Sequence, residues 1–299
     1  MEHPIQPFFL YRKRFGETAA FAKGEVRGLV GPPHASLSSF NQGSLTLWPL
    51  ASGSNGNALL VSSGDTTILI DDGISTKRLS QSLNSVGKSL GDISAVFITH
   101  EHHDHVSGLP VLRKRSPSPF HASAGTAGAL PPEFDVKRIA PGKAVEIGTL
   151  KVEPFRTPHD AEESFGYVIE DSKGRKALVA TDVGHVNGHL LERLDGCGIV
   201  MIEANHDVDM LMEGRYPEVL KERIRGPLGH LSNDEAADVA LEAAQKGVRH
   251  AILAHMSADN NHPELALSTV KRALKAAGHD TLKVCVAPRG MPGERIALD

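Results

Sequence analysis

Four histidines and two carboxylates fill positions 100–105, His100-Glu101-His102-His103-Asp104-His105, directly after the apolar run Ala95-Val96-Phe97-Ile98. His100 and His102 stand two residues apart, so in extended backbone they project to the same side and can hold one ion. Asp104 and His105 follow where the chain bends away, and can reach a second ion. Neutral imidazole nitrogen and carboxylate oxygen suit zinc first, with manganese or iron fitting where carboxylates and open positions matter. A lone His-x-His is often a solvated surface loop; H-x-H-x-D-H leaving an apolar strand is a far more specific metal pattern.

Two metals need more ligands than one loop supplies, and three other strand-like runs end in histidine or aspartate. Residues 151–158 run into His159, residues 177–181 into Asp182 and residues 251–254 into His255. In layered α/β proteins, sites collect where the loops after several strands converge. Four strand ends can thus meet on one metal pair.

The surrounding elements read as alternating strands and helices. Residues 45–50 and 58–61 are strands joined by Ser52-Gly53-Ser54-Asn55-Gly56-Asn57, and residues 66–70 continue the sheet into Asp71-Asp72-Gly73. That Ser/Gly/Asn turn is either a plain hairpin or a loop whose amides and hydroxyls hold a phosphate. Ile74, Leu79, Leu83 and Val86 recur at mostly helical spacing. Residues 106–112 read as a short helix ending in Arg113-Lys114-Arg115, a solvated charge cluster or a phosphate contact. Residues 122–148 are assigned to further strands and loops, and residues 198–202 to a buried strand ending in Glu203, Asn205, His206 and Asp207. That polar cluster is either a hydrogen-bond network or a site wall. Ser232 or Asn233 caps an amphipathic helix over residues 234–246, residues 263–278 form an outer helix and residues 282–287 a last strand.

The order Leu69-Ile70-Asp71, His100 to His105, His159, Asp182, His255 resembles the five motifs of the metallo-β-lactamase fold hydrolases over about residues 44–299. Within them the chain is similar to the bacterial YycJ (WalJ) family of DNA exonucleases. That narrower match is carried by Ser52 to Asn57, Glu203-Ala204-Asn205-His206-Asp207, Gly229-His230-Leu231-Ser232-Asn233 and Asn260-Asn261-His262-Pro263-Glu264-Leu265. The resemblance implies an α/β fold with a four-layer αββα sandwich and two divalent metal ions, zinc first and manganese second. It puts His100, His102 and His159 on one metal, Asp104, His105 and His255 on the other, and Asp182 between them, with Asp71 orienting the second motif. It makes Asp104 and Asp182 catalytic together with His230, which matches a histidine that assists the leaving group in ribonuclease Z relatives. Ser54, Asn55, Asn57, His206, Ser232 and Asn233 become the expected substrate contacts. A water shared by two cations loses its proton near neutral pH and attacks without any serine or cysteine nucleophile. The expected reaction is phosphodiester hydrolysis on nucleic acid, DNA in particular, from an end. The alternatives are hydrolysis of a small phosphodiester, thioester or lactam, and a degenerate fold that only binds. The spans between His159, Asp182 and His255 leave no room for the tRNA-processing substrate arm or the β-CASP clamp of other branches.

Composition fits this frame. The chain has 299 residues, 40% hydrophobic and 23% charged, and a net charge of −4, which argues mildly against indiscriminate coating of nucleic acid. Cys197 and Cys285 offer no disulfide framework, no apolar run is long enough to span a bilayer, and a cytoplasmic location is expected. Residues 1–43, with Arg12-Lys13-Arg14 and Gly31-Pro32-Pro33, read as a weakly ordered extension ahead of one hydrolase domain over residues 44–299, either a solvated tail or a basic arm for a polyanion.

Overall fold

A computed structural model describes residues 43–299, so the expected extension lies outside the described residues. The first half of the chain builds one sheet. It uses β1 (Leu45–Ala51), β2 (Ala58–Ser63), β3 (Thr66–Ile70), β4 (Ala95–Phe97), β5 (Phe120–Ala122) and β6 (Lys137–Arg138) in chain order. The second half builds the other from β7 (Val145–Ile147), β8 (Leu150–Arg156), β9 (Phe165–Asp171), β10 (Lys176–Ala180), β11 (Cys197–Glu203), β12 (His250–Ala254) and β13 (Lys283–Val286). A final strand, β14 (Ile296–Leu298), returns to the first sheet and pairs antiparallel with β1.

Each central strand is apolar on both faces, and the alternation assigns its side chains to two different cores. Ile68 and Ile70 of β3, Ala177 and Val179 of β10, Ile199 and Met201 of β11, and Ile252 and Ala254 of β12 share the core between the sheets. The intervening Leu178, Val200, Ile202 and Leu253 pack outward against helices. On the first sheet, Leu69 and Val96 face α1 (Thr76–Asn84) and α3 (Leu109–Arg115), which bury Leu79, Leu83, Leu109 and Leu112. Between these two helices in sequence comes α2 (His103–Val106), and after them α4 (Ala124–Ala129). On the second sheet α5 (Gly188–Glu192), α6 (Val208–Glu213) and α7 (Glu218–Arg225) precede the two long helices α8 (Asn233–Gln245) and α9 (Pro263–Ala276). Ala236, Ala240 and Ala243 of α8, with Val270 and Leu274 of α9, close the outer core. Helices, sheet, sheet, helices make four layers, the architecture expected.

Three local readings need correction. The segment after His105 is two short helices, because Gly108 sits against Asp72 and Ile74. A Cβ there would lie 2.2 Å from the Ile74 carbonyl oxygen and 2.5 Å from Asp72 Oδ2. Residues 122–148 hold α4 besides strands, its start fixed by Ser123 Oγ accepting from Thr126 N. Finally, α5, α6, α7 and β14 had no counterpart in the sequence reading.

Candidate active site

The ends of β3, β4, β8, β10, β11 and β12 converge on one polar cluster. Asp71, Asp182 and His255 each begin the loop after a strand with positive φ, 59°, 58° and 51°. That conformation costs a non-glycine residue about 1–3 kcal/mol and persists only where the surroundings over-determine it. They do so here. His255 has its N–H bound by Ser52 Oγ at 2.7 Å and its carbonyl by Asn205 Nδ2 at 2.9 Å. Beyond Asp182, Val183 N donates to Glu203 Oε2 at 2.8 Å and Gly184 N to the Pro158 carbonyl at 2.6 Å. Asp71 takes the N–H of Thr99 at 2.8 Å, the hydroxyl of Thr99 at 2.9 Å and Nδ1 of His105 at 2.7 Å, which sets the ring angle of His105. Across the sheets, the buried Tyr167 hydroxyl donates to the Ile98 carbonyl at 2.6 Å and Phe165 N to the Thr99 carbonyl at 3.0 Å, tying β9 to the root of the histidine loop.

The donor atoms form four groups that share members: His100, His102 and His159; Asp104, His105 and His255; His100, His105 and Asp182; and Asp182, Glu203, His230 and His255. His100, His102 and His159 bring one nitrogen each within 4.8 Å of one another, and a carboxylate oxygen of Asp104 lies as close to one nitrogen each of His105 and His255. Asp182 touches both: Oδ2 lies 3.2 Å from His105 Nε2, while Oδ1 lies 3.5 Å from His255 Nε2 and 3.8 Å from His159 Nε2. Asp104 Oδ2 lies 3.3 Å from His255 Nε2 and 3.4 Å from His105 Nε2. Nε2 of His100 and of His159 are buried with no hydrogen-bond partner in the protein. A buried ring nitrogen without a partner costs about 1–3 kcal/mol unless something else takes its lone pair. Imidazoles and carboxylates so converged are the donor set that divalent cations of zinc type accept.

Residues 66–256 match the family model described as the β-lactamase superfamily domain. The exodeoxyribonuclease YycJ of Bacillus anthracis is 34% identical over 235 residues, 77% of this chain and 89% of that protein. The chain belongs to the YycJ/WalJ family of metallo-β-lactamase-fold hydrolases. WalJ of Streptococcus pneumoniae strain D39, another exodeoxyribonuclease, is 32% identical over 237 residues, 76% and 87% of the two chains. The metallo-β-lactamase fold protein YhfI of Bacillus subtilis superposes with a TM-score of 0.64 at 17% identity, covering 85% of this chain and all of that one, and shares the fold. As a member of this family the chain is a metal-dependent hydrolase.

Within this family framework the remaining expected residues separate into two groups. Asn57 reaches the cluster, its Nδ2 at 3.1 Å from Asp104 Oδ2 and 3.0 Å from His105 Nε2. Ser54 and Asn55 stand exposed at the tip of the same loop. Ser232 is spent on the cap of α8, where its hydroxyl and the Glu235 carboxylate satisfy each other's backbone amides. Asn233 is buried, and its amide pairs with that of Asn261 in both directions, at 3.0 and 2.8 Å. His206 is buried behind them, bridged through its backbone to Ser232. His230 borders the candidate ligands, its ring 5.1 Å from that of His159 and 5.3 Å from that of His255.

Sequence reasoning left two contributors unassigned. Glu203, fully buried at the end of β11, accepts from His230 Nδ1 at 2.7 Å and His255 Nδ1 at 2.8 Å through Oε1, and from Val183 N and Leu231 N through Oε2. Burial works to raise its pKa, but the facing histidines outweigh that and hold it at about 2. In the reverse direction, burial lowers the His230 pKa and Glu203 more than restores it, so His230 is raised. Asp160, next to His159, sends Oδ1 to within 3.3 Å of His159 Nε2 while Oδ2 accepts from Arg223 Nε at 2.6 Å. The signals available were a carboxylate at the end of a buried strand and one adjoining a ligand.

Proposed function

We propose that this chain hydrolyses phosphodiester bonds of DNA from an end, using two divalent cations, zinc or alternatively manganese. The carrying observation is that two of the donor groups, one of three histidines and one of Asp104, His105 and His255, lie on either side of Asp182, whose oxygens approach members of both. His100, His102 and His159 would hold one cation and Asp104, His105 and His255 the other, with Asp182 placed to serve both. When bound, such a pair lowers the pKa of a water between them and neutralises charge developing on a phosphoryl oxygen.

The protein's own groups supply the rest. Asp71 and Glu203 take the second ring nitrogens of His105 and His255, which fixes the tautomers that leave Nε2 available to a cation. His230 Nδ1 is engaged by Glu203, so Nε2 is its one nitrogen for substrate. Glu203 raises the His230 pKa, which favours the imidazolium form that can donate to the departing oxygen. Ser54 and Asn55 remain free to contact the phosphate backbone, whereas the side chains of Ser232 and Asn233 are committed to structure. The relatives named exodeoxyribonucleases, matched over most of their length, support DNA and end-directed cleavage. The two unbridged cysteines accord with a cytoplasmic setting.

The test is cleavage of end-labelled single- and double-stranded DNA and RNA by zinc- or manganese-loaded protein, with Asp182→Ala as control. Shortening of DNA from one end, abolished by the control, is expected. A protein that binds two metals and cleaves no polymer would replace this reading with a small-phosphodiester hydrolase.

A further inference from the structure

A groove of about 630 Å³ lies between α1 and the loop at residues 290–292. Lys77, Arg78 and Gln81 line one wall and Met291, 65% exposed, the other. No aspartate or glutamate lines it, although the chain carries 36 acidic residues against 32 basic ones. Four other arginines, Arg156, Arg175, Arg193 and Arg223, each meet a carboxylate. Among the described residues no carboxylate pairs with Lys77 or Arg78, which line the groove, or with Arg289, which precedes its Gly290 wall without lining it. Positive charge is therefore left uncompensated on one concave surface, an arrangement that stores electrostatic repulsion unless an anion enters.

The groove adjoins the Ser52 to Asn57 loop, which in turn packs on the cluster. Arg78 Nη2 donates to the carbonyls of Leu50 at 3.3 Å and Arg289 at 3.0 Å, so one guanidinium ties both walls together. The Arg289 side chain covers Gly53, where its Cγ would stand 2.9 Å from a Cβ. Ser52, one residue earlier, binds the backbone of His255 with its hydroxyl and the carbonyl of Pro288 with its N–H. On the other side Gly56 packs on Gly73 and Ile74, which lead directly into α1. The loop from Ser52 to Asn57 thus touches Asp104 through Asn57 at one end and Arg289 through Gly53 at the other.

We propose that this groove carries the single strand of DNA that continues from the phosphodiester held at the cluster, with Lys77 and Arg289 on its phosphates and Met291 against a base. The inference rests on the nuclease reading above and adds where the strand lies. Cations that track the backbone beside an apolar surface that meets base faces are what sequence-independent single-strand binding needs. The volume falls within the roughly 300–1,000 Å³ of ligand pockets, room for a short unpaired stretch.

The experiment measures binding, by fluorescence anisotropy, of a labelled phosphorothioate deoxythymidine strand of about 12 nucleotides to zinc-loaded protein across a salt series. Lys77→Glu with Arg289→Glu should weaken binding at least about tenfold at about 50 mM NaCl, and make the dependence on log salt shallower by about 1.4, near 0.7 for each phosphate released. Lys77→Ala alone, a mild exchange at an exposed position, should make it shallower by about 0.7 and guards against a folding artefact. Lys271→Glu with Arg272→Glu, the same change of net charge on exposed α9, should alter affinity less than about twofold. An uncharged methylphosphonate strand should not bind. Equal weakening by both double variants, no weakening by the first, or no binding by wild-type protein overturns the proposal. Cleavage of ordinary DNA is scored separately. Binding through the groove without cleavage would refute the nuclease reading alone, and cleavage with binding indifferent to Lys77 and Arg289 would refute the groove alone.

Discussion

Asp72 offers a prediction that runs against the usual expectation that changes beside an active site destabilise. Its side chain is fully buried and neither oxygen has a hydrogen-bond partner. Burial, reinforced by the neighbouring Asp71, raises its pKa from 3.8 to about 8. The folded protein therefore takes up a proton that the unfolded chain releases above 3.8. The stability associated with this group is full below pH 3.8 and is lost as pH rises through about 8. At pH 7 the penalty spans about three units at about 1.4 kcal/mol each, about 4 kcal/mol. Asp72→Asn keeps the shape and the unpartnered polar atoms but has no proton to manage. It should be more stable than wild type by up to about 4 kcal/mol at pH 7, with the difference vanishing near pH 4. Urea unfolding of EDTA-treated protein between about pH 4 and 8 reads this directly, without linked metal binding. A variant equal to or weaker than wild type at pH 7, or a difference that does not change with pH, would refute the reasoning.

Other perturbations follow from the same contacts. Glu203→Gln places an amide donor against two of the four donors that Glu203 now satisfies, so it should cost about 2–4 kcal/mol in urea unfolding and lower kcat at least about 100-fold; a variant as stable and active as wild type would remove Glu203 from the account. Gly73→Ala would put a Cβ 1.6 Å from the Asp104 carbonyl oxygen, and should cost about 1–3 kcal/mol while lowering metal content measured by atomic emission. Asp171 works in the opposite sense from Asp72. Burial raises its pKa, but the bonds from Arg175, from the Lys173 and Arg175 amides and from Ser63 outweigh it, so the pKa is lowered. Its stabilisation is present above 3.8 and lost as pH falls below that value. Asp171→Asn should therefore lose about 1–3 kcal/mol at neutral pH, and the deficit should shrink in acid denaturation curves.

Much of this site was legible because its chemistry is written in residue types that have few other uses in buried loops. The histidine loop, Asp182 and His255 follow largely apolar runs and His159 follows the alternating strand of residues 151–156, so a strand end and a candidate ligand announce each other. Glu203 was harder to assign: its two histidine partners come from residues 230 and 255, and the contact exists because β11 and β12 run parallel side by side. Nothing local encodes that pairing. The same holds for β14, whose Ile296, Ala297 and Leu298 make a strand only by pairing with Leu47, Thr46 and Leu45 about 250 residues earlier. Helices α6 and α7 are brief and interrupted at Gly214 and Pro217, which obscured their periodicity, although Asp207 accepting from Met210 N gave one a recognisable cap. Ser232 and Asn233 show the opposite hazard. They lie in the right motif, yet their side chains are occupied by capping Glu235's turn and pairing with Asn261.

The most direct measurement titrates zinc into metal-free protein while following hydrolysis of end-labelled single-stranded DNA. The proposed two-cation site with Asp182 serving both predicts that activity rises to its maximum at two equivalents of zinc per chain, and that Asp182→Ala stays inactive at any ratio. Full activity at one equivalent, or in the presence of excess chelator, would contradict the two-cation account.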